Sequence, residues 1–280
     1  MYGKVSLVGA GSGDPELLTL RAYRLIKEAQ AVVYDNLVGH EVVALISPSA
    51  RTVYAGKEAG RHALPQERIN ELLVELARQG LHVVRLKGGD PFIFGRGGEE
   101  MAALEAAGIP FEIVPGVTTA SAVGAYTGVP MTHRSYACSL VLTTGHLKDG
   151  SLDLDWDVLA RERQTLVVYM GLAALPKVCS QLIAHGLPAD TPGLVVQSAT
   201  TREQRSVAAP ISSLAEKVAA AGLQSPALIV IGAVAGTYCA QREAALLAAR
   251  YGALHGEDIA EMAAVLAPPA PRFDCAASPA

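Results

Sequence analysis

Residues 86–100, Leu86-Lys87-Gly88-Gly89-Asp90-Pro91-Phe92-Ile93-Phe94-Gly95-Arg96-Gly97-Gly98-Glu99-Glu100, decide the fold. The β-branched run just before them, residues 82–86, reads as a strand. The chain then turns on Gly88 and Gly89 and ends on two acids suited to the first turn of a helix. A strand that delivers its chain into such a turn places the turn at the edge of a sheet where α/β proteins bind ligands. Two glycines there let the main chain approach a flat ligand closely.

Outward from this stretch, residues 4–8, 31–34, 51–54 and 111–114 are further short strand-like runs. Helical patterns separate them. Ile69, Leu72, Leu73 and Leu76 fall at i, i+3, i+4, i+7, and Leu18, Ala22, Leu25, Ile26 and Ala29 make a similar stripe. This alternation predicts an α/β chain with mainly parallel sheets. The pattern changes near Pro115-Gly116. A small-residue helix over 118–127 follows, then strands at 140–143, 165–169, 194–197, 205–208 and 228–231, the third and fourth as a hairpin. The division expected is an N-terminal α/β domain over 1–116, a C-terminal α/β domain over 117–240 with some antiparallel pairing, and a helical extension with a disordered tail over 241–280.

Composition narrows the function. Half of the 280 residues are hydrophobic, so a large core can form. The net charge of -4 disfavours a protein that grips nucleic acid. The two longest uncharged stretches, 113–132 and 218–241, are interrupted by Pro and Gly, so no membrane span is expected. Four scattered cysteines and the absence of a signal pattern point to a reducing, cytoplasmic compartment. Seven histidines without HxH or HxxxH spacing predict no metal site.

A second glycine turn, Gly9-Ala10-Gly11-Ser12-Gly13-Asp14-Pro15, follows the first strand. With Asp35 after the second strand it imitates a dinucleotide fingerprint, which makes an NAD(P)-dependent Rossmann oxidoreductase an alternative. The sixth position should be glycine, however, and Asp14 would repel a pyrophosphate. Asp14-Pro15 reads instead as a helix N-cap followed by proline at the first helical position.

Further segments keep company with the central one: Val114-Pro115-Gly116-Val117-Thr118-Thr119, Val129-Pro130-Met131-Thr132-His133-Arg134, Thr144-Gly145-His146, Val168-Tyr169-Met170-Gly171 and Ser225-Pro226-Ala227-Leu228-Ile229. In order and spacing, from about residue 3 to 235, the set resembles the tetrapyrrole methylase family in its uroporphyrinogen-III C-methylating branch. The resemblance implies two α/β domains with S-adenosylmethionine in the cleft between them, S-adenosylhomocysteine as product, no metal, and a homodimer. It implies methylation of uroporphyrinogen III at two pyrrole carbons, giving precorrin-2 through precorrin-1, for siroheme, cobalamin or heme d1. A later precorrin or a non-tetrapyrrole acceptor is the alternative within the same superfamily.

The resemblance makes Ser12, Gly88, Gly89, Asp90, Ile93, Thr118, Thr119, Met170, Ala199 and Ala227 cofactor contacts. Ser12 departs from the family's usual proline. Asp35 is the candidate proton acceptor and Lys57 the candidate donor. Arg96 is read as anchor and electrostatic stabiliser, since a guanidinium is a poor base, with Glu99 orienting it from three residues on. The substrate's eight carboxylates call for cations, and Arg96, Arg134 and Lys57 are the candidates. The length is expected to hold the methyltransferase alone, without a dehydrogenase–chelatase or synthase domain.

Overall fold

β-branched runs buried on both faces build the first sheet. A computed structural model of the protein describes residues 2–56, 64–145 and 152–252; Lys57, His146 and the tail after 252 lie outside the described residues. Strands β1 (Lys4–Gly9), β2 (Ala31–Tyr34), β3 (Arg51–Tyr54), β4 (His82–Lys87) and β5 (Phe111–Val114) are all parallel, in the order β3-β2-β4-β1-β5. Helices α1 (Leu20–Glu28) and α2 (His40–Val43) cover one face, against Val8, Val32, Val84 and Leu86. Helices α3 (Gln66–Arg78) and α4 (Gly97–Ala106) cover the other, against Val5, Leu7, Val33 and Val83. The period-2 alternation of side chains along each strand divides the core in this way.

β4 separates β1 from β2, which are neighbours in a dinucleotide-binding sheet. Asp14 does act as an N-cap, but of a three-residue 3-10 turn, Pro15–Leu17, accepting from the Glu16 N–H at 2.7 Å. The longer helix starts later, at Leu20, capped by the Thr19 hydroxyl. The glycine turn therefore does not open directly into a long helix, as a pyrophosphate-binding loop would.

The second sheet contains β6 (Ser139–Thr144), β7 (Gln164–Tyr169), β8 (Pro192–Gln197), β9 (Arg205–Pro210) and β10 (Ala227–Ile231), in the order β6-β7-β10-β8-β9. Here the expectation of mainly parallel pairing needs correction: only β6 and β7 pair parallel, and the other three pairings are antiparallel. Residues 198–204 are too few for a crossover, so β8 and β9 form a hairpin, and β10 inserts between β7 and β8 running against both. Helices α6 (Trp156–Leu159), α7 (Leu175–Ala184) and α8 (Ile211–Ala220) pack on one face. The chain enters this half through α5 (Thr119–Thr127), which lies on the other face, and leaves it through α9 (Ala240–Tyr251).

Candidate active site

The first sheet creates a crevice at its carboxyl edge. β1 and β4 are neighbours, yet the chain leaves β1 for α1 on one face of the sheet and leaves β4 for α4 on the other, so the loops after them diverge. Before diverging they touch. The Gly11 N–H donates to Gly89 O at 3.2 Å and the Gly89 N–H to Gly11 O at 2.6 Å. A Cβ placed on Gly116, just after β5, would lie 2.2 Å from Gly89 O; one on Gly88 would lie 2.7 Å from Leu37 O. Main chain thus packs directly on main chain, and glycine is required there for room. Asp90 locks the arrangement: Oδ1 accepts from the Phe92 N–H at 2.8 Å and Oδ2 from the Gly116 N–H at 3.1 Å.

The second sheet closes the crevice from across. Tyr169, at the end of β7, accepts from the buried Ala120 N–H at 3.0 Å and pairs with the Thr118 hydroxyl at 2.7 Å. Its ring lies 5.0 Å from that of Phe94, and burial pushes the phenol's pKa up. Ser12 Oγ lies 2.9 Å from Thr200 Oγ1 in the β8–β9 loop, so the residue that departs from the family's proline makes an inter-sheet contact. Phe94, Arg96, Met170, Ser198 and Thr200 all have positive φ. Each costs on the order of 1–3 kcal/mol, and such strain clusters where ligands bind. Leu37, Phe92, Phe94 and Met170 are exposed apolar side chains on these same loops.

Beneath the crevice lies a buried ionic layer. Arg85 and Lys87 alternate on the α3/α4 face of β4. Arg85 donates to Asp35 Oδ2 at 2.9 Å and to Glu100 Oε1 at 3.0 Å. Lys87 donates to the same Glu100 oxygen at 3.0 Å, and Gln66 of α3 at 3.2 Å. Glu100 Oε2 has no partner among the described residues. Burial, with Arg85 beside it, pushes the Lys87 ammonium pKa down against the pull of Glu100. Asp35 also accepts the Leu37 N–H at 3.0 Å, which fixes its carboxylate at the lip of the crevice.

The structure therefore brings together Ser12, Gly88, Gly89, Asp90, Thr118, Thr119, Met170 and Ala199 on loops that touch one another. Ile93 is half-buried in the β4–α4 loop, and Ala227 opens β10 opposite Gln197, two residues before Ala199. Arg96 is exposed, and its Nε and Nη2 each donate to Glu99 at 2.7 Å. Arg134 is exposed on the turn closed by His133 and Ala137. Sequence reading missed Arg85, Lys87 and Glu100, and also Tyr169 and Thr200. The first two carry a signal: charges at alternate positions within an otherwise apolar strand point to one face and need a buried partner.

A family model for tetrapyrrole (corrin/porphyrin) methylases matches residues 4–215. A siroheme synthase of Nitrosospira multiformis is 58% identical over 232 residues, covering 83% of this chain and 49% of that protein. The chain thus spans about half the length of the curated relatives it matches. Among solved structures, uroporphyrin-III C-methyltransferase from Thermus thermophilus complexed with S-adenosylhomocysteine superposes with a TM-score of 0.72 at 44% identity, covering 83% of this chain and 98% of that one. A cobalt precorrin-4 methyltransferase superposes with a TM-score of 0.74 at 29% identity, over 83% of this chain and 95% of that one.

Proposed function

The chain belongs to the tetrapyrrole methylase family, and from that premise we propose that it methylates uroporphyrinogen III at two pyrrole carbons with S-adenosylmethionine as donor, giving precorrin-2 through precorrin-1. The observation that carries this reading is the meeting of the glycine loops of the first sheet with Tyr169 and Thr200 of the second around one crevice. The residues present fit the donor. Bare backbone at Gly89 suits a flat adenosine, while Gly88 packs on Leu37. At Gly89, among the described residues, only Thr119 Oγ1 comes within 4 Å of where a Cβ would stand. Exposed apolar side chains surround this floor and can exclude water.

The donor contributes an electrophilic methyl on a sulfonium, so the protein's task is alignment and proton handling. Ser12, Gly88, Gly89, Asp90, Ile93, Thr118, Thr119, Met170, Ala199 and Ala227 are assigned to the donor. Arg96, with Lys57 and Arg134, is assigned to the acceptor's carboxylates; the forked Arg96–Glu99 pair presents a pre-oriented guanidinium for this. Asp35, fixed at the lip by Arg85 and Leu37, is assigned as proton acceptor and Lys57 as donor. The lobes are taken as 1–116 and 117–240, with 241–280 as an extension, in a homodimer working in the cytoplasm. No helix among the described residues is long and apolar enough to cross a membrane. The product would feed siroheme, cobalamin or heme d1.

The test is transfer of labelled methyl from S-adenosylmethionine to reduced uroporphyrinogen III, with a precorrin-2 spectrum as the expected result. Folded protein that binds S-adenosylhomocysteine yet labels only a later precorrin would move the acceptor. Failure to label any tetrapyrrole would remove the reading.

A further inference from the structure

We infer that α9, which lies beyond the family-matched residues, is a working part of the donor site: Arg250, together with Tyr126, grips Asp14 and so sets the position of the first glycine loop. Asp14 is 3% exposed. One of its oxygens caps Glu16; the other accepts both from the Tyr126 hydroxyl of α5 and from Arg250 Nε of α9. The Arg250 guanidinium also lies 4.9 Å from the centre of the Tyr126 ring and its Nη2 is 3.5 Å from Glu16. A carboxylate this buried needs a cation and donors to remain ionised. Both come from the far half of the chain. The hydrogen bonds from Tyr126 and Arg250 overcome burial and hold the Asp14 pKa below the ordinary carboxylate range.

The grip is anchored at both ends. The next residue, Tyr251, donates to Thr200 O at 2.6 Å, and Thr200 Oγ1 in turn pairs with Ser12 and accepts the Asp14 N–H at 3.3 Å. Near the start of α9, the fully buried Glu243 accepts from Gln204, Ser206 and Tyr238, each at 2.6 Å. Gln204 also accepts the Thr200 N–H at 2.8 Å. α9 therefore runs as a strap from β9 and its preceding loop to the loop carrying Ser12. The strap fixes Gly11 against Gly89 as a consequence. This inference rests on the proposed donor reading, and Arg250 is a positioning residue with no assigned contact to donor or acceptor.

The test is calorimetric titration of the whole chain with S-adenosylhomocysteine. Arg250→Met is expected to weaken binding about 10-fold, Arg250→Lys to recover part of the loss, and the KM for uroporphyrinogen III to stay within twofold. Asp14→Asn combined with Arg250→Met should lose no more than the worse single variant, because both break the same link. Linkage also requires the reverse effect: saturating S-adenosylhomocysteine should slow amide exchange in α9 of the unmodified protein. Wild-type affinity in folded Arg250→Met, or α9 exchange indifferent to the ligand, would overturn the inference and leave the donor reading standing. No binding by the unmodified chain would overturn both.

Discussion

Arg85 reaches from the middle strand of the first sheet to Asp35 at the end of its neighbour, Nη2 to Oδ2 at 2.9 Å, and the same guanidinium gives its Nε to Glu100. One buried cation thus ties the assigned proton acceptor to α4, whose N-terminus carries Arg96 and Glu99. Removing Glu100 leaves Arg85 and Lys87 confronting each other in the core. Glu100→Met should cost about 3–5 kcal/mol in urea unfolding. The double variant Arg85→Met, Glu100→Met should cost less than the sum of the singles, since Lys87 alone can shed its proton. Additive losses would show that the charges are not coupled.

The crowding at Gly116 and the open space at Gly98 make opposite predictions for one substitution type. Gly116→Ala drives a methyl into Gly89 O, so the loops must part. Affinity for S-adenosylhomocysteine is expected to fall more than 10-fold, and stability by about 1–3 kcal/mol. Among the described residues nothing lies within 4 Å of a Cβ on Gly98, inside α4. Gly98→Ala should gain up to about 1 kcal/mol from helix propensity. Thermal melts of the pair decide the matter.

Arg96 holds φ +58 at the N-terminus of α4, a conformation that costs an L-residue roughly 1–2 kcal/mol. Arg96→Gly should therefore unfold at equal or higher urea than the parent while its KM for uroporphyrinogen III rises at least 10-fold. Arg96→Lys keeps the charge and the strain but loses the fork, so its KM should also rise without a gain in stability. A loss of stability in Arg96→Gly would mean that the Glu99 pair outweighs the strain.

Stability should fall with acid in two windows. Burial, and Lys4 beside it, hold the His82 pKa below its ordinary 6.5. Asp14 is held below 3.8. In each case the unfolded chain binds protons that the folded chain refuses, so stability rises with pH. The His82 contribution is lost as pH falls below 6.5, and that of Asp14 as pH falls below 3.8. Urea midpoints measured across pH should drop through both windows. His82→Gln should flatten the upper window and Asp14→Asn the lower.

Local pattern made the first sheet legible: its five strands are short β-branched runs, and the stripe through Ile69 and Leu76 gave α3. The crevice was legible in part, because Gly88 and Gly89 end a strand. Strand direction in the second half was only partly so, since pairing depends on where β10 inserts and no residue within β10 encodes that. Asp14 and Arg250 are 236 residues apart, and no local spacing links a capping acid to an arginine on the last helix. Arg85 and Lys87 could have been found from their alternation in β4. Their shared partner Glu100 looked like one more acid at a helix start.

Gly9, Gly89 and Gly116 interlock so closely that a side chain on Gly9 or Gly116 strikes the backbone of the others. The floor of the crevice is therefore a property of the chain's path and offers nothing for single substitutions to adjust. Variants with graded donor preference, whether for a bulkier sulfonium or a weaker hold on the spent product, are expected to carry their changes in the side chains around that floor, such as Leu37, Phe94 or Met170.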